Sequence, residues 1–169
     1  NLQADLVILS IGVRPDIRLA REAGLRIGEL GGIWVNEYLQ TSDPSIYAVG
    51  DAIEFKNPIS NHSSLAFLAG PANKQGRICA DNIVNGNCSI YKGAIGTAIA
   101  KVFDLTVGAS GLSARMLERL EIPYLTTIIH ASSHAGYYPN ALQLTIKINF
   151  SPNSGRLLGG QVVGYEGAD

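Results

Sequence analysis

The spacing of apolar and polar positions divides the chain into two styles. Ala4 to Ile11 is an almost unbroken apolar run, which predicts a buried strand. Gly12-Val-Arg-Pro15 then turns the chain into a short helix from Asp16 to Ala23, stopped by Gly24. Gly31-Gly32 breaks the chain before a brief strand, Ile33-Trp34-Val35-Asn36. Ile46, Tyr47, Ala48 and Val49, too few for a helix and bounded by Asp43-Pro44 and Gly50, read as a buried strand of a parallel sheet. Leu65, Ala66, Phe67, Ala72, Ile78, Cys79, Ile83 and Val84 predict a largely helical segment between Ser64 and Gly86, interrupted near Gly70-Pro71. Proline suits the first turn of a helix, so the main helix is expected to begin at about Pro71.

After Asn85-Gly-Asn87 the pattern changes to that of antiparallel strands. Thr97 to Phe103 and Leu105 to Ala109 read as strands joined near Asp104, followed by a helix capped at Ser113 that runs to about Leu120. Pro123 to Ala131 predicts another strand and Leu142 to Phe150 a further one. Ser151-Pro-Asn-Ser-Gly155 is a hairpin turn into Leu157 to Tyr165.

Candidate chemistry sits where these elements end. Ligands of open α/β sheets bind beyond the carboxyl ends of the strands. Gly50 allows another backbone or a ligand to approach closely, and Asp51 presents two acceptor oxygens suited to sugar or ribityl hydroxyls. An aspartate after glycine also suits a capping role, and the pair by itself leaves that alternative open. In Ser132-Ser-His-Ala-Gly-Tyr-Tyr-Pro139 two adjacent tyrosines share a loop with Gly and Pro, so at least one phenol points outward or finds a partner. His130 and His134 are four apart, but a metal site there would need a helix and further ligands, so no metal site is expected; His62 is given no role.

Composition narrows the classes. Of 169 residues 46% are hydrophobic, which suffices for a folded globular core. Lys and Arg number 13 against 14 Asp and Glu, a net charge of -1, so there is no basic field for nucleic acid or an anionic membrane. No apolar run approaches the roughly 20 residues that span a bilayer. Cys79 and Cys88 form neither a disulfide framework nor a CxxC pair, and reduced thiols in a cytoplasm are expected, with Cys79 as small core filling. No Gly-x-Gly-x-x-Gly turn occurs.

Several motifs carry a resemblance. Thr41-x6-apolar-apolar-Gly50-Asp51 resembles the second flavin-binding signature of the FAD-dependent pyridine nucleotide-disulfide oxidoreductases. Leu6-Val-Ile-Leu-Ser-Ile-Gly-Val-Arg-Pro15 resembles the element that closes their NAD(P)H domain. Leu68-Ala-Gly-Pro-Ala-Asn-Lys-Gln-Gly-Arg77 and His134-Ala-Gly-Tyr-Tyr-Pro139 resemble the branch of coenzyme A-disulfide reductases and NADH oxidases.

The resemblance implies an α/β FAD/NAD(P)-binding segment followed by an α+β dimerisation domain with an antiparallel sheet. Residues 1–90 would end the NAD(P)H domain and complete the FAD domain, and 91–169 would begin the dimerisation domain. It implies that Asp51 holds the ribityl chain of FAD, with Thr41 and Gly50 in the same signature. Gly12 would lie at the hinge near both cofactors, Leu68 and Ala69 would face the flavin's pyrimidine side through their backbones, and His134 would lie near the nucleotide. Asn73 and Tyr138 would face substrate, Tyr138 reaching the active site of the other subunit of a homodimer.

The chain itself is expected to be an excised C-terminal piece, inactive alone, because the catalytic cysteine and both dinucleotide turns of the family are absent from it. The whole enzyme would be cytoplasmic. It would pass electrons from NAD(P)H through FAD and a cysteine to a small disulfide such as coenzyme A disulfide, or to oxygen or polysulfide. A non-catalytic dimerisation or interaction module is the contrasting expectation.

Overall fold

The computed structural model describes residues 2–168, which fall into two compact units: the chain up to Phe55 with Ser63–Lys92, and Lys56–His62 with the chain from Gly93 onward. The first unit holds helix α1 (Arg18–Glu22) and strand β1 (Ile33–Trp34), then a 3-10 turn (Gly50–Ala52) running directly into β2 (Ile53–Lys56). Strand β3 (Ser63–Ser64) and the long helix α2 (Ala69–Asn85) complete it. Its sheet has the order β1-β2-β3, with β1 parallel to β2 in the register Ile33 to Ile53. Leu39, Ile53, Phe55, Val35, Ala20 and Tyr91 are buried here.

Buried polar groups organise this unit as much as apolar ones. The Glu54 carboxylate, out of solvent, accepts the backbone N–H of Glu29 at 2.9 Å and of Leu30 at 2.7 Å, which ties the Gly28–Gly32 turn to β2. α2 ends where Gly86 takes the left-handed conformation (φ 73°), a geometry that costs glycine nothing. The two buried residues of α2 are Gln75 and Asn82, while Ile83 and Val84 point outward.

Four sequence expectations change. Ala4 to Ile11 is not a buried strand: Leu6, Val7, Ile8, Leu9 and Ile11 are all exposed, and no strand among the described residues pairs with them. Ile46 to Val49 is not a strand of a parallel sheet either. Val49 is extended (φ -144°, ψ 167°), but this stretch makes only an isolated antiparallel bridge, Tyr47 to Gln40, and Ile46 and Val49 are exposed. Both runs have strand character without a neighbour to complete the ladder, and a strand exists only with its partner. Helix α2 starts at Ala69, two residues before the expected Pro71, because a proline within the first turn gives up an N–H that would have no acceptor there. The strand expected over Ile33 to Asn36 is confined to Ile33–Trp34.

In the second unit the expected elements appear with small shifts: β4 (Thr97–Val102), β5 (Leu105–Gly111), α3 (Ala114–Arg119), β6 (Leu125–Ser132), β7 (Gln143–Phe150) and β8 (Leu157–Gly164). The five strands form one antiparallel sheet in the order β4-β5-β8-β7-β6. Ser113 caps α3, its hydroxyl accepting the Met116 N–H at 3.3 Å. Leu112, Leu117 and Leu158 form the core, with Ile59, Ile122 and Tyr124 packed against it. The buried Asn149 side chain donates to the Leu112 carbonyl at 3.1 Å and accepts from the Thr126 hydroxyl at 2.8 Å, joining β7 to the entry of α3 and to β6. The fold is thus an α/β segment followed by an α+β unit with an antiparallel sheet.

Candidate functional site

The site is built from the turn at Gly50-Asp51. Gly50 has φ of +82°, which an L side chain rarely adopts, and no protein atom lies within 4 Å of where a Cβ would stand. The space beside Gly50 is therefore open. The turn is fixed from behind: the Gly50 N–H donates to Gln75 Oε1 at 2.7 Å, and Gln75 Nε2 donates to the Tyr91 hydroxyl at 2.9 Å. Tyr91 meets the edge of Phe55 with ring centroids 5.5 Å apart and donates its own N–H to the Glu37 carbonyl at 2.8 Å. Burial pushes the Tyr91 phenol up, against a smaller downward pull from the Gln75 hydrogen bond. Asp51 is exposed, and its carboxylate has no hydrogen-bond partner among the described residues. An anchored backbone thus carries an unengaged acceptor.

Thr41 lies on the loop leading to this turn. It is buried and self-contained: its hydroxyl donates to the Asp43 carbonyl at 3.1 Å and accepts the Asp43 N–H at 3.2 Å, while its own N–H donates to Ile46 at 2.9 Å. The side chain shapes the loop and does not face outward. Gly12 takes φ of +81° in the exposed segment before α1, with open space around it.

The start of α2 supplies donors. Leu68 is the extended N-cap (φ -140°, ψ 134°) without a side-chain cap, and Pro71 has no N–H. Ala72 N–H is satisfied by the Leu68 carbonyl at 3.3 Å, which leaves Ala69 and Gly70 N–H without an acceptor among the described residues. A negatively charged group gains there from both the free N–H groups and the helix dipole. Asn73, exposed, turns its amide back to donate to the Ala69 carbonyl at 2.9 Å. Gln75 is six residues beyond Ala69, about 9 Å along the axis, so one rigid helix carries both the open N-terminus and the anchor of the Asp51 turn.

The tyrosine loop belongs to the second unit. His134 Nε2 lies 3.1 Å from the Pro139 carbonyl and Nδ1 lies 3.1 Å from the Ser133 hydroxyl. A carbonyl only accepts, so Nε2 carries the proton, and neither ring nitrogen meets a ligand without breaking a bond. Tyr137 and Tyr138 stack with centroids 5.0 Å apart at 38°, and the exposed Tyr138 hydroxyl has no partner among the described residues. His130 bonds the Thr145 hydroxyl at 2.9 Å, and His62 the Ser60 carbonyl at 2.9 Å. Cys79 is half-buried, and burial pushes its thiol up. Gln75, Tyr91 and Glu54 escape sequence reasoning. The polar pair Gln75 and Asn82, seven apart on α2, is the signal for one of them, since residues at that spacing share a face.

The model of the pyridine nucleotide-disulphide oxidoreductase family matches residues 1–76 of this chain. The chain is similar to the NAD(P)H sulfur oxidoreductase (CoA-dependent) of Pyrococcus abyssi, 40% identical over 97% of this chain and 36% of that protein. It is 32% identical to the coenzyme A disulfide reductase of Staphylococcus epidermidis over 98% of this chain and 37% of that protein. The crystal structure of reduced Bacillus anthracis CoADR-RHD superposes with a TM-score of 0.95 at 51% identity, covering 99% of this chain and 30% of that one. The chain spans little more than a third of the length of these curated relatives. No helix among the described residues is long and apolar enough to cross a membrane.

Proposed function

We propose that this chain is the C-terminal part of a flavoprotein oxidoreductase that uses NAD(P)H, FAD and a cysteine outside this chain to reduce a low-molecular-weight disulfide such as coenzyme A disulfide. The observation that carries the reading is the unengaged Asp51 carboxylate on a turn anchored to α2, the helix whose first N–H groups are open. FAD, when bound, supplies the carrier between the nicotinamide and the cysteine. The residues present fit it. Asp51 accepts hydrogen bonds from ribityl hydroxyls, the open space at Gly50 admits a ligand chain, and Thr41 holds the loop in shape. Leu68 and Ala69 bring the positive end of α2 to the anionic edge of the isoalloxazine. Gly12 lets a nucleotide approach the segment that precedes α1.

Residues 1–90 then complete the nucleotide-binding domains, and 91–169 begin a domain through which two subunits pair as a homodimer in the cytoplasm. Asn73 faces substrate, its amide freed from the Ala69 carbonyl when a better partner arrives. His134 braces its loop beside the nucleotide. Tyr138 presents its unpartnered hydroxyl to the sulfur that leaves as thiolate and donates a hydrogen bond to it, lowering the cost of that charge. Similarity to the coenzyme A disulfide reductase of Staphylococcus epidermidis supports the substrate class.

Stopped-flow absorbance of the full-length flavoprotein tests the reading. Bleaching of the flavin band by NAD(P)H, then recovery with thiol release on adding coenzyme A disulfide, is expected. Recovery with oxygen alone would replace the disulfide by oxygen as acceptor. Absence of bound flavin would leave a non-catalytic pairing module.

A further inference from the structure

We infer that Gln75 is a positioning residue for the flavin site: it sets the Gly50-Asp51 turn against α2 and thereby aims the Asp51 carboxylate. The inference rests on the flavin-binding reading above and deepens it. Gln75 is only 1% exposed, yet it carries a primary amide, and a buried amide is retained only when its donors and acceptors are used. Here the amide cannot be turned over without loss. The Gly50 N–H only donates, so Oε1 faces it at 2.7 Å, which leaves Nε2 for the Tyr91 hydroxyl at 2.9 Å. Tyr91 is held in turn by the Phe55 ring edge and the Glu37 carbonyl.

These contacts close a ring. The 3-10 turn leads straight into β2, which carries Phe55; Phe55 meets Tyr91, Tyr91 meets Gln75, and Gln75 returns to Gly50. The backbone from Gly50 to Phe55 is therefore clamped at both ends by one side-chain chain rooted in α2. Asp51 stands immediately after the clamped N–H and has no partner of its own among the described residues, so its direction is set by the turn alone. The same helix presents Ala69 and Gly70, so Gln75 fixes the relation between the acceptor for the ribityl chain and the donors for the ring.

The test measures FAD affinity of the full-length flavoprotein, stripped and titrated by flavin fluorescence, together with thermal unfolding of the apoprotein. Gln75→Leu is expected to weaken FAD binding about tenfold, the order of one oriented hydrogen bond. Gln75→Glu should restore most of it, because a carboxyl group still accepts from Gly50 while the Tyr91 hydroxyl turns to donate. Asp51→Ala should weaken binding as well, and the double variant should bind no worse than Asp51→Ala, since Gln75 acts through Asp51. Additive losses in the double variant overturn the inference. So does unchanged FAD affinity in a Gln75→Leu protein that merely melts earlier. If Asp51→Ala itself leaves affinity unchanged, it is the flavin-binding reading that fails, and the two failures are thereby told apart. Should Gln75→Leu not fold, Tyr91→Phe replaces it, removing only the hydroxyl that orients the amide, and additivity with Asp51→Ala overturns the inference in the same way.

Discussion

Asn82 and Ser89 exchange two hydrogen bonds: the Asn82 amide donates to the Ser89 carbonyl at 2.8 Å, and Asn82 Oδ1 accepts the Ser89 N–H at 2.8 Å. The side chain thus pairs with a backbone as a neighbouring strand would. A third bond, from the same amide to the Tyr38 carbonyl at 2.9 Å, ties in the loop before the Asp51 turn. With Gln75 one face of α2 becomes a polar spine, and both members are 1% exposed. Asn82→Leu keeps the branched outline of the side chain but leaves an N–H and two carbonyls unpaired, so a loss of about 2–4 kcal/mol is expected. Urea unfolding of the variant against the parent protein measures it, and a loss below about 0.5 kcal/mol would mean that water replaces the amide without cost.

The buried phenol at Tyr91 predicts a pH dependence. Burial raises its pKa above the ordinary 10.0, with the Gln75 hydrogen bond opposing. The folded pKa lies above the unfolded one, so the unfolded chain loses its proton first. The contribution to stability is complete below the unfolded pKa and is lost as pH rises through the folded value. Tyr91→Phe should therefore flatten the fall of stability that sets in at about pH 10 and continues above it. Urea midpoints for both proteins across that range check it; parallel curves would show that Tyr91 ionises alike in both states.

A two-residue loop, Phe103-Asp104, joins Val102 of β4 to its partner Leu105 in β5, and Phe103 sits at φ of +52° while exposed. Tight hairpins require positive φ at the first central position, where glycine is favoured. The aromatic ring packs on little, so Phe103→Gly removes about 1–2 kcal/mol of backbone strain. Greater freedom of the unfolded chain returns about 0.4–1 kcal/mol. A net stabilisation of about 0.5–1 kcal/mol should appear as a higher urea midpoint, and a lower one would show that the ring contributes packing.

The second unit is legible in the sequence because an antiparallel sheet is specified locally. Ser151–Gly155 turns the chain, Ser113 caps α3, and each strand pairs with a neighbour that the same stretch of chain provides. The first unit is less legible. Leu6 to Ile11 and Ile46 to Val49 carry the composition of buried strands, but pairing is a property of two segments: among the described residues no strand pairs with the first, and the second makes only the isolated bridge of Tyr47 to Gln40. The Gly50-Asp51 turn is legible as a place where glycine lets the chain turn and an exposed carboxylate follows it. Its anchor is legible only through the seven-residue spacing of Gln75 and Asn82, because a single glutamine facing inward looks in sequence like one facing water, and the Gly50 N–H and the Tyr91 hydroxyl are what give it partners.

Tyr138 gives the last prediction. Its ring leans on Tyr137, and its hydroxyl is exposed without a partner among the described residues, so Tyr138→Phe removes the oxygen while the ring contact persists. A group that donates to a departing thiolate acts only in the step that breaks the disulfide. In the full-length protein, if it is the flavoprotein proposed above, bleaching of the flavin by NAD(P)H should therefore proceed at its normal rate. Reduction of coenzyme A disulfide should slow by about tenfold to a hundredfold, with the larger effect on kcat. Stopped-flow and steady-state rates measured on one preparation separate the two half-reactions. Disulfide turnover that stays at the parent rate would leave Tyr138 as a structural partner of Tyr137 and nothing more.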